Sequence, residues 1–399
     1  MKKSLLIFLI LCSIHFWGYL PIWWYKDYID LISLLIIGIS FIIKLQDKTL
    51  RFRNAIFLYL FGIVLNILSA YFNNGQGIKD TTLTFGYYYF ILLYFVLHDY
   101  KLSRNEIETM ILVFAGIYSV FYLIQISAFP TRIFYGNMFY DRGTVRLRME
   151  GAGFLMLAYF MMLNRYLLKR NIFHIIIAMI FLLILLKGGF RTFLAVAVLL
   201  SGVVFIKLVK YSPSNYFLIV LAVVVIIGAL QMEGPSTIIH NMIETTEQQK
   251  EQGERYIRKK QYEFFTKEYP ENWTYYVVGG GLGGGTGSYA DRMGYMVQEY
   301  GFYWVDLGLL GFYLVVGGVT MLGLLWWVFR VMFMKFPPDR LYLNVYMAYL
   351  FFVSLLTTPE IYDMGIFGVH AVVLYLADLA RDEMKENKQS ESLMLQYTV

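Results

Sequence analysis

The stretch that decides the fold of this chain is its one long polar interval, residues 232–304, which separates two hydrophobic runs. It begins MEGPSTIIHNMIETTEQQKEQGERYIRKKQYEFFTKEYPEN (232–272) and ends VVGGGLGGGTGSYADRMGYMVQEYGFYW (277–304). The chain around it is dominated by apolar runs, several of which reach the roughly 20 residues that a helix needs to cross a bilayer. Residues 232–301 are therefore predicted to form a large loop outside the membrane.

The composition excludes an ordinary soluble fold. Of the 399 residues, 58% are apolar and 16% are charged, whereas about 25% of the residues of a soluble domain are charged. A membrane β-barrel would instead show short segments of alternating hydrophobicity. We predict an all-α, polytopic helical membrane protein, with residues 1–399 forming a single transmembrane domain. About twelve transmembrane helices are expected near residues 4–20, 28–43, 54–72, 81–97, 107–128, 150–166, 172–187, 191–207, 215–231, 302–329, 341–357 and 364–380.

The distribution of lysine and arginine predicts the orientation. More than half of the basic residues lie at the chain ends and in the loops on the same side as the ends. Because basic loops remain in the cytoplasm, both termini are predicted to be cytoplasmic and the 232–301 loop periplasmic. Residues 381–399 are expected to form a disordered cytoplasmic tail. The large loop is more acidic than basic, so the net charge of +6 reflects orientation and predicts no nucleic-acid partner.

Arginines on the predicted outer side go against this trend. Arg142, Arg146 and Arg148 lie in FPTRIFYGNMFYDRGTVRLRME (129–150), Arg191 opens a helix after a Gly-Gly turn, and Arg255 lies on an amphipathic helix that ends before a proline. A guanidinium matches the geometry of phosphate oxygens, and a helix N-terminus favours anions. These five residues are predicted to bind phosphate, although contacts with lipid headgroups, pairing with acids or a solvated helix face would also explain them.

The glycine-rich run at residues 279–287, GGGLGGGTG, is not a nucleotide-binding motif, because it lacks a GK[ST] sequence and a βαβ context. Its glycines allow the backbone to approach a bulky substrate or another loop, or they form a flexible linker. No cluster of histidine and cysteine has metal-ligand spacing on the outer side, so neither a metal nor another cofactor is predicted.

Four stretches in this order resemble the O-antigen polymerase and O-antigen ligase superfamily of bacterial membrane glycosyltransferases. They are RMEG (148–151), KGGFRTFLA (187–195), GERYIRKKQYEFFTKEYPEN with VVGGGLGGG (253–272 and 277–285), and VQEYGFYWVDLGLLGFYLV (297–315). In this resemblance Arg191 and Arg255 fall on basic positions of the family. The ligases place a histidine where this chain has Val297, so the polymerase branch is favoured.

The resemblance implies an enzyme of the bacterial cytoplasmic membrane that joins undecaprenyl-pyrophosphate-linked repeat units into O-antigen or capsular polysaccharide. The transfer is expected to be inverting and metal-independent. Its partners would be a lipid-linked glycan donor and acceptor, membrane lipids and, as a further candidate, a chain-length regulator. The pyrophosphate would be bound by the five arginines. Asp291 and Glu299 are candidate general bases, with Glu150, Asp306 and Glu360 as rivals.

Two other functions are compatible with the same features. An O-antigen ligase would transfer the glycan to a lipid or protein acceptor. A transporter or flippase for polysaccharide precursors would be expected to carry charges within its spans or to show internal symmetry, and the sequence displays neither feature clearly.

Overall fold

The computed structural model describes residues 2–19, 26–134, 137–141, 144–148, 151–187, 191–208, 257–355, 359–363 and 365–397. Its helices are α1 (Lys2–Ser13), α2 (Lys26–Lys44), α3 (Arg53–Asn74), α4 (Ile78–Thr84), α5 (Leu93–Tyr100), α6 (Arg104–Ser127), α7 (Ala152–Lys169), α8 (Ile172–Lys187), α9 (Arg191–Leu208), α10 (Ile257–Glu263), α11 (Thr274–Val278), α12 (Ser288–Tyr300), α13 (Leu309–Met332), α14 (Leu341–Ser354) and α15 (Ile366–Tyr397). Short 3-10 helices span Phe16–Tyr19, Gly86–Leu92, Trp304–Leu307 and Pro338–Arg340, and a π-helix spans Phe264–Glu268.

The helical prediction is confirmed, with one addition. Strands β1 (Asn137–Asp141) and β2 (Thr144–Arg148) form an antiparallel hairpin that was not predicted. Its alternating sequence, NMFYD and TVRLR, carries a weak strand signal that the surrounding helical pattern obscured. The predicted span at residues 215–231 and the first part of the predicted loop, up to residue 256, lie outside the described residues.

Among the residues that the structure describes, three helices are long and apolar enough to cross a membrane: α3, α6 and α13. Apolar side chains also cover outward faces of the shorter helices α2 and α8, where they are exposed. These are Leu31, Ile32, Leu35, Ile39, Ile42 and Ile43 on α2, and Ile172, Phe173, Ile176, Ile180 and Leu183 on α8. Water-soluble proteins rarely expose continuous apolar surface of this kind, which suits contact with lipid.

The long helices run alternately up and down, so the bundle has two distinct ends. At one end, which we call the paired end, α13 finishes beside the start of α3, and Arg330 Nη1 donates to Arg51 O at 2.8 Å. The starts of α6 and α14 meet there as well, where Arg104 Nη2 donates to Asp339 O at 3.2 Å. The opposite end, which we call the loop end, carries the end of α3, the hairpin, the start of α7, and residues 274–308.

The contact between α3 and α13 depends on small residues. Gly62 packs directly on Thr320, and Gly323 packs directly on the backbone of Tyr59. A Cβ atom at either glycine would lie 2.5 Å from the partner helix, so neither position accepts a side chain. Small residues let membrane helices approach closely and gain dispersion contacts, because apolar burial alone gives little driving force in lipid.

The first half of α15 is the centre of the bundle. Val369, Val373 and Ala377 are completely buried, together with the residues between them, and α1, α5, α6, α7 and α13 surround them. A helix that is apolar on every side can be buried in this way. Centrality cannot be read from a hydropathy profile, because a lipid-facing helix is equally apolar.

Two segments differ from the predictions. The expected span at 81–97 is divided into α4, a 3-10 helix and α5, where Gly86 and the aromatic run after it have low helix propensity. The tail beginning at residue 381 was predicted to be disordered, but α15 continues to Tyr397. Its first polar turn is anchored by ion pairs from Arg51 to Asp382 and from Arg340 to Glu383.

Candidate functional site

Helix α13 is broken at the loop end, at Gly317. This residue has φ 86° and ψ 163°, far from helical values. The carbonyls of Leu314 and Val315, just before the break, accept hydrogen bonds from Gly280 N (3.3 Å) and Gly281 N (2.9 Å). The glycine segment, which we define as residues 278–285, thus supplies donors that the next helical turn would have supplied. Broken helices persist at membrane depth only where such replacements exist.

Polar side chains at the end of α3 bind the other side of the glycine segment. They donate to its successive carbonyls: Asn66 to Val278 (2.7 Å), Ser69 to Gly279 (2.6 Å), Asn74 to Gly280 (2.6 Å) and Gln76 to Leu282 (2.8 Å). The backbone of this non-helical segment is therefore satisfied inside the protein, as burial requires.

The glycines make this close approach possible. Gly279 and Gly281 have φ of 81° and 101°, in the region that disfavours side chains. A Cβ atom at Gly279 would lie 2.3 Å from Val315 O, and one at Gly281 would lie 2.5 Å from the Ala70 Cβ. The flexible-linker interpretation is wrong: the segment is a packed re-entrant loop. It reaches Val315, six residues into α13, or about 9 Å below the helix end.

A pair of buried tyrosines fastens α12 to this loop. The Tyr269 and Tyr289 hydroxyls lie 2.8 Å apart, and Tyr289 donates to Gly281 O at 2.9 Å. Burial raises the pKa of both tyrosines well above the ordinary phenol value. Both phenols therefore remain protonated at physiological pH and serve as structural hydrogen-bonding groups. Helix formation also stops at Tyr269, as Pro270 predicted.

The two predicted general bases lie on α12. Asp291 and Glu299 are both exposed, while Met293 and Met296 on the opposite side pack against the core. The neighbouring Arg292 pairs with Glu271 at 2.5 Å. An amphipathic helix turns its carboxylates outward in this way. Their side chains thus face away from the packed loop, and their catalytic role stays a prediction.

The predicted phosphate-binding arginines are distributed over several elements. Arg146 and Arg148 are in β2, paired in register with Phe139 and Asn137. Arg191 is the first residue of α9. Arg142 and Arg255 lie outside the described residues.

The start of α9 packs next to a buried carboxylate. Phe193, two residues after Arg191, contacts Tyr349 edge to face, with ring centroids 6.4 Å apart. Tyr349 is completely buried and close enough to Glu360 to interact with it electrostatically. The helix N-terminus, which favours anions, and the buried acid are thereby brought into one neighbourhood.

The start of α7, which follows the hairpin, lies near Tyr118. Three residues after Arg148, Gly151 begins the turn into α7 and lies against the Tyr118 ring. Tyr118 in turn lies close enough to Tyr349 for the two to interact electrostatically. Helix α7, which follows the hairpin, and α9, which begins with Arg191, both pack against α14, the helix that carries Tyr349.

Glu360 is the carboxylate that lies near Tyr349, and only 6% of the residue is exposed. It also lies close to Tyr346. The hydroxyls of Tyr346 and Tyr349 are buried and have no hydrogen-bond partner among the described residues. Leaving such groups unsatisfied costs about 1–3 kcal/mol each, which makes this neighbourhood a candidate site. We call Tyr118, Tyr346, Tyr349 and Glu360 the Glu360 cluster.

The backbone beside Glu360 is fixed on both sides. Ile361 N donates to Ser354 Oγ at 2.7 Å, and Ile361 O lies 2.9 Å from His370 Nε2. Tyr362 stacks on Phe312 at 4.2 Å and donates to a backbone carbonyl of the loop end at 2.7 Å. The carboxylate is therefore held on a rigid frame, which catalysis by a positioned acid or base requires.

Sequence reasoning named Glu360 only as a rival base and did not single out Tyr346 and Tyr349. One signal was available: two tyrosines at i and i+3 place two hydroxyls on one side of an apolar helix. Among the described residues no group of three or more His, Cys, Asp or Glu side chains has the geometry of a metal site.

No protein-family model, curated protein or solved structure significantly matches this chain. The functional argument therefore depends on the residues and their geometry.

Proposed function

We propose that this protein is a multi-pass glycosyltransferase of the bacterial cytoplasmic membrane. It polymerises undecaprenyl-pyrophosphate-linked repeat units into surface polysaccharide. About twelve helices would cross the membrane, with both termini in the cytoplasm and the loop end outside. The observation that carries the proposal is that α7, which follows the hairpin, and α9, which begins with Arg191, both pack against α14, whose Tyr346 and Tyr349 lie near the buried Glu360.

The chemistry of the donor explains why cations and a base would be needed together. The leaving group is a pyrophosphate, and the negative charge that develops on it requires preorganised positive partners. Arg191, with Arg148 and Arg146, would supply these partners from α9 and β2, assisted by the α9 N-terminus. Arg142 and Arg255 are also proposed to bind the pyrophosphate.

The acceptor supplies a sugar hydroxyl, whose proton must be removed as the new bond forms. Glu360 is our candidate for this base, ahead of Asp291 and Glu299, because it is buried beside the arginine-bearing elements. Attack opposite the leaving pyrophosphate would invert the anomeric centre. The Tyr346 and Tyr349 hydroxyls would orient the substrate.

The polarity of the bundle supports a site at the membrane surface. The described charged side chains form ion pairs mainly at the paired end, while outward faces of α2 and α8 are apolar. A transporter would be expected to place ionisable groups along a path through its middle. The packed glycine segment would also give the loop end a rigid surface for binding an extended glycan chain.

The test is complementation of a strain from which this gene has been deleted. If the protein is a polymerase, the deletion strain displays single repeat units on its surface, and the wild-type gene restores long polysaccharide. Accumulation of finished polymer on the lipid carrier would identify a ligase instead. Retention of repeat units inside the cell would identify a flippase.

The matched variants are Arg191→Ala and Arg381→Ala. Arg381 is an exposed arginine at the paired end and serves as the control. We expect Arg191→Ala to abolish polymer at normal protein level and Arg381→Ala to leave polymer length unchanged. Full-length polymer from Arg191→Ala contradicts the pyrophosphate-binding assignment.

A further inference from the structure

The connection between α14 and α15 carries Glu360, and side chains of both helices bind its backbone. Ser354, the last residue of α14, accepts a hydrogen bond from Ile361 N at 2.7 Å. His370, one turn into α15, has its Nε2 at 2.9 Å from Ile361 O. Ile361 itself is completely buried. The residue that follows Glu360 is therefore held at both of its backbone polar groups, each by a different helix.

These two bonds act on consecutive peptide planes. The N–H of Ile361 shares a rigid plane with the carbonyl of Glu360, so Ser354 fixes the peptide in which Glu360 ends. The carbonyl of Ile361 belongs to the next plane, which His370 fixes. Because both planes are held, the backbone has little freedom to rotate between them, and the base of the Glu360 side chain has a defined position.

The chemistry of the contact with His370 determines the role of its imidazole. A carbonyl oxygen only accepts hydrogen bonds, so Nε2 must carry the hydrogen and donate it to Ile361 O. His370 is completely buried, and a buried charge without an acidic partner is costly, which favours the neutral ring. His370 therefore serves the connection as a neutral hydrogen-bond donor.

Aromatic packing holds the imidazole in place. Its ring meets Trp327 of α13 at 67°, with centroids 5.9 Å apart, and lies 5.7 Å from the ring of Phe367. Phe367 in turn packs on Tyr59 of α3 at 5.5 Å. All of these side chains are buried, and a close-packed interior leaves a ring few other orientations. The donor is thus positioned by the core of the bundle.

We propose that His370 is a positioning residue for Glu360: its Nε2–H fixes the Ile361 carbonyl and thereby directs the Glu360 carboxylate at the acceptor hydroxyl. This role rests on the proposed function, in which Glu360 is the general base. His370 acts through the backbone, and Ser354 supplies the second contact of the same kind. A displacement of a catalytic group by 1 Å is enough to slow a reaction about 100-fold.

The first measurement is hydrogen–deuterium exchange of the full-length protein in detergent, read by mass spectrometry on peptides that contain residues 359–363. His370→Phe keeps a ring but removes the donor, so exchange in these residues should accelerate at least about tenfold through local opening. The side-chain amide of glutamine is able to donate to the same carbonyl, so His370→Gln should exchange within about threefold of the wild type.

The second measurement is turnover, with lipid-linked repeat units extracted from the deletion strain as substrate. His370→Phe should lower kcat about 10- to 100-fold. Its KM should stay within about twofold, because a misplaced base slows the chemical step without removing a binding contact. His370→Gln should restore most of the rate. Ser354→Ala, which removes the other contact, should lower kcat at unchanged KM in the same way.

Tyr375→Phe is the matched control. Tyr375 lies on the same helix and is buried, and its hydroxyl donates to Leu102 O at 2.7 Å at the paired end. This variant also loses one buried hydrogen bond from a side chain to the backbone. Its unfolding temperature should fall about as much as that of His370→Phe, because the two lost bonds are of the same type. Its kcat and the exchange of residues 359–363 should stay at the wild-type level.

Three outcomes overturn the inference: unchanged exchange of residues 359–363 in His370→Phe, equal loss of kcat in His370→Gln and His370→Phe, or the same loss of kcat in Tyr375→Phe. If exchange accelerates in His370→Phe but the deletion strain makes normal polysaccharide, the proposed function fails and the structural contact stands. If polymer depends on the protein and exchange accelerates while kcat is unchanged, the positioning role fails alone.

Discussion

The two ends of the bundle use polar residues in different ways. At the paired end, Glu108 has a side chain that is 2% exposed and accepts hydrogen bonds from Arg104 (2.7 Å), Tyr342 (2.8 Å) and Arg165. At the loop end, Glu360 is almost as deeply buried, beside tyrosine hydroxyls that have no partner among the described residues. The carboxylate of Glu108 has all its hydrogen-bond partners within the protein, whereas the hydroxyls beside Glu360 have none among the described residues.

For Glu108 and the Glu360 cluster, this difference distinguishes a structural role from a proposed functional one. Buried charges whose partners are all present act as fixed connections between helices, here α6, α7 and α14. Buried hydroxyls without partners lower stability, and each requires an explanation, of which a substrate that completes the network is one. Mutations at the paired end should therefore reduce stability, whereas mutations in the Glu360 cluster should reduce activity.

The largest effect is expected from Glu360→Gln. Glutamine preserves the shape of the side chain but cannot accept the proton, so the rate of polymerisation should fall about 10²- to 10⁴-fold. The measurement is polymer formation in membranes, with thermal unfolding of the purified protein as the check on folding. Asp291→Asn and Glu299→Gln serve as matched controls. If one of these controls loses activity and Glu360→Gln does not, the base lies on α12.

The next largest effect is expected from Glu108→Ala at the paired end. Removing this carboxylate leaves two arginines without their buried partner, which should lower the free energy of unfolding by about 3–5 kcal/mol. Thermal unfolding in detergent measures the change. Asp382→Ala, which removes the exposed partner of Arg51, should cost about 1 kcal/mol or less. Equal losses of stability in the two variants would contradict the prediction that the buried ion pairs of Glu108 contribute more than the exposed pair of Asp382.

A smaller effect is expected from Gly281→Ala in the re-entrant loop. The positive φ and the contact with Ala70 should together lower stability by about 1–3 kcal/mol. Gly294→Ala in α12 is the matched control, because it has open space around it and alanine should raise helix stability by about 0.5–1 kcal/mol. Opposite shifts in unfolding temperature support the packed loop. Identical shifts would indicate that the glycine segment is a linker after all.

The positions of most described helices followed from hydropathy alone, because a helix in lipid must be apolar over most of its length. The segments predicted at 54–72, 107–128 and 302–329 correspond to α3, α6 and much of α13. The break at Gly317 could not be foreseen, since glycine is common in membrane helices and only the presence of the glycine segment makes this glycine special.

The candidate site was only partly accessible to sequence reasoning. Arginines on the predicted outer side stood out against the positive-inside trend, so Arg148 and Arg191 were found one by one. The packing of α7 and α9 against α14, which carries Tyr349, depends on tertiary contacts that no local pattern encodes.

The break at Gly317 has a consequence for the order in which the protein assembles. If α13 kept its break without the glycine segment, the carbonyls of Leu314 and Val315 would lose their donors in the hydrocarbon. Those donors come from the glycine segment, which is itself held by Asn66 and Ser69 of α3, synthesised far earlier. The last third of the chain therefore reaches its final state only on a preassembled first third, and a truncated protein that lacks α3 should be unable to mature its outer loop.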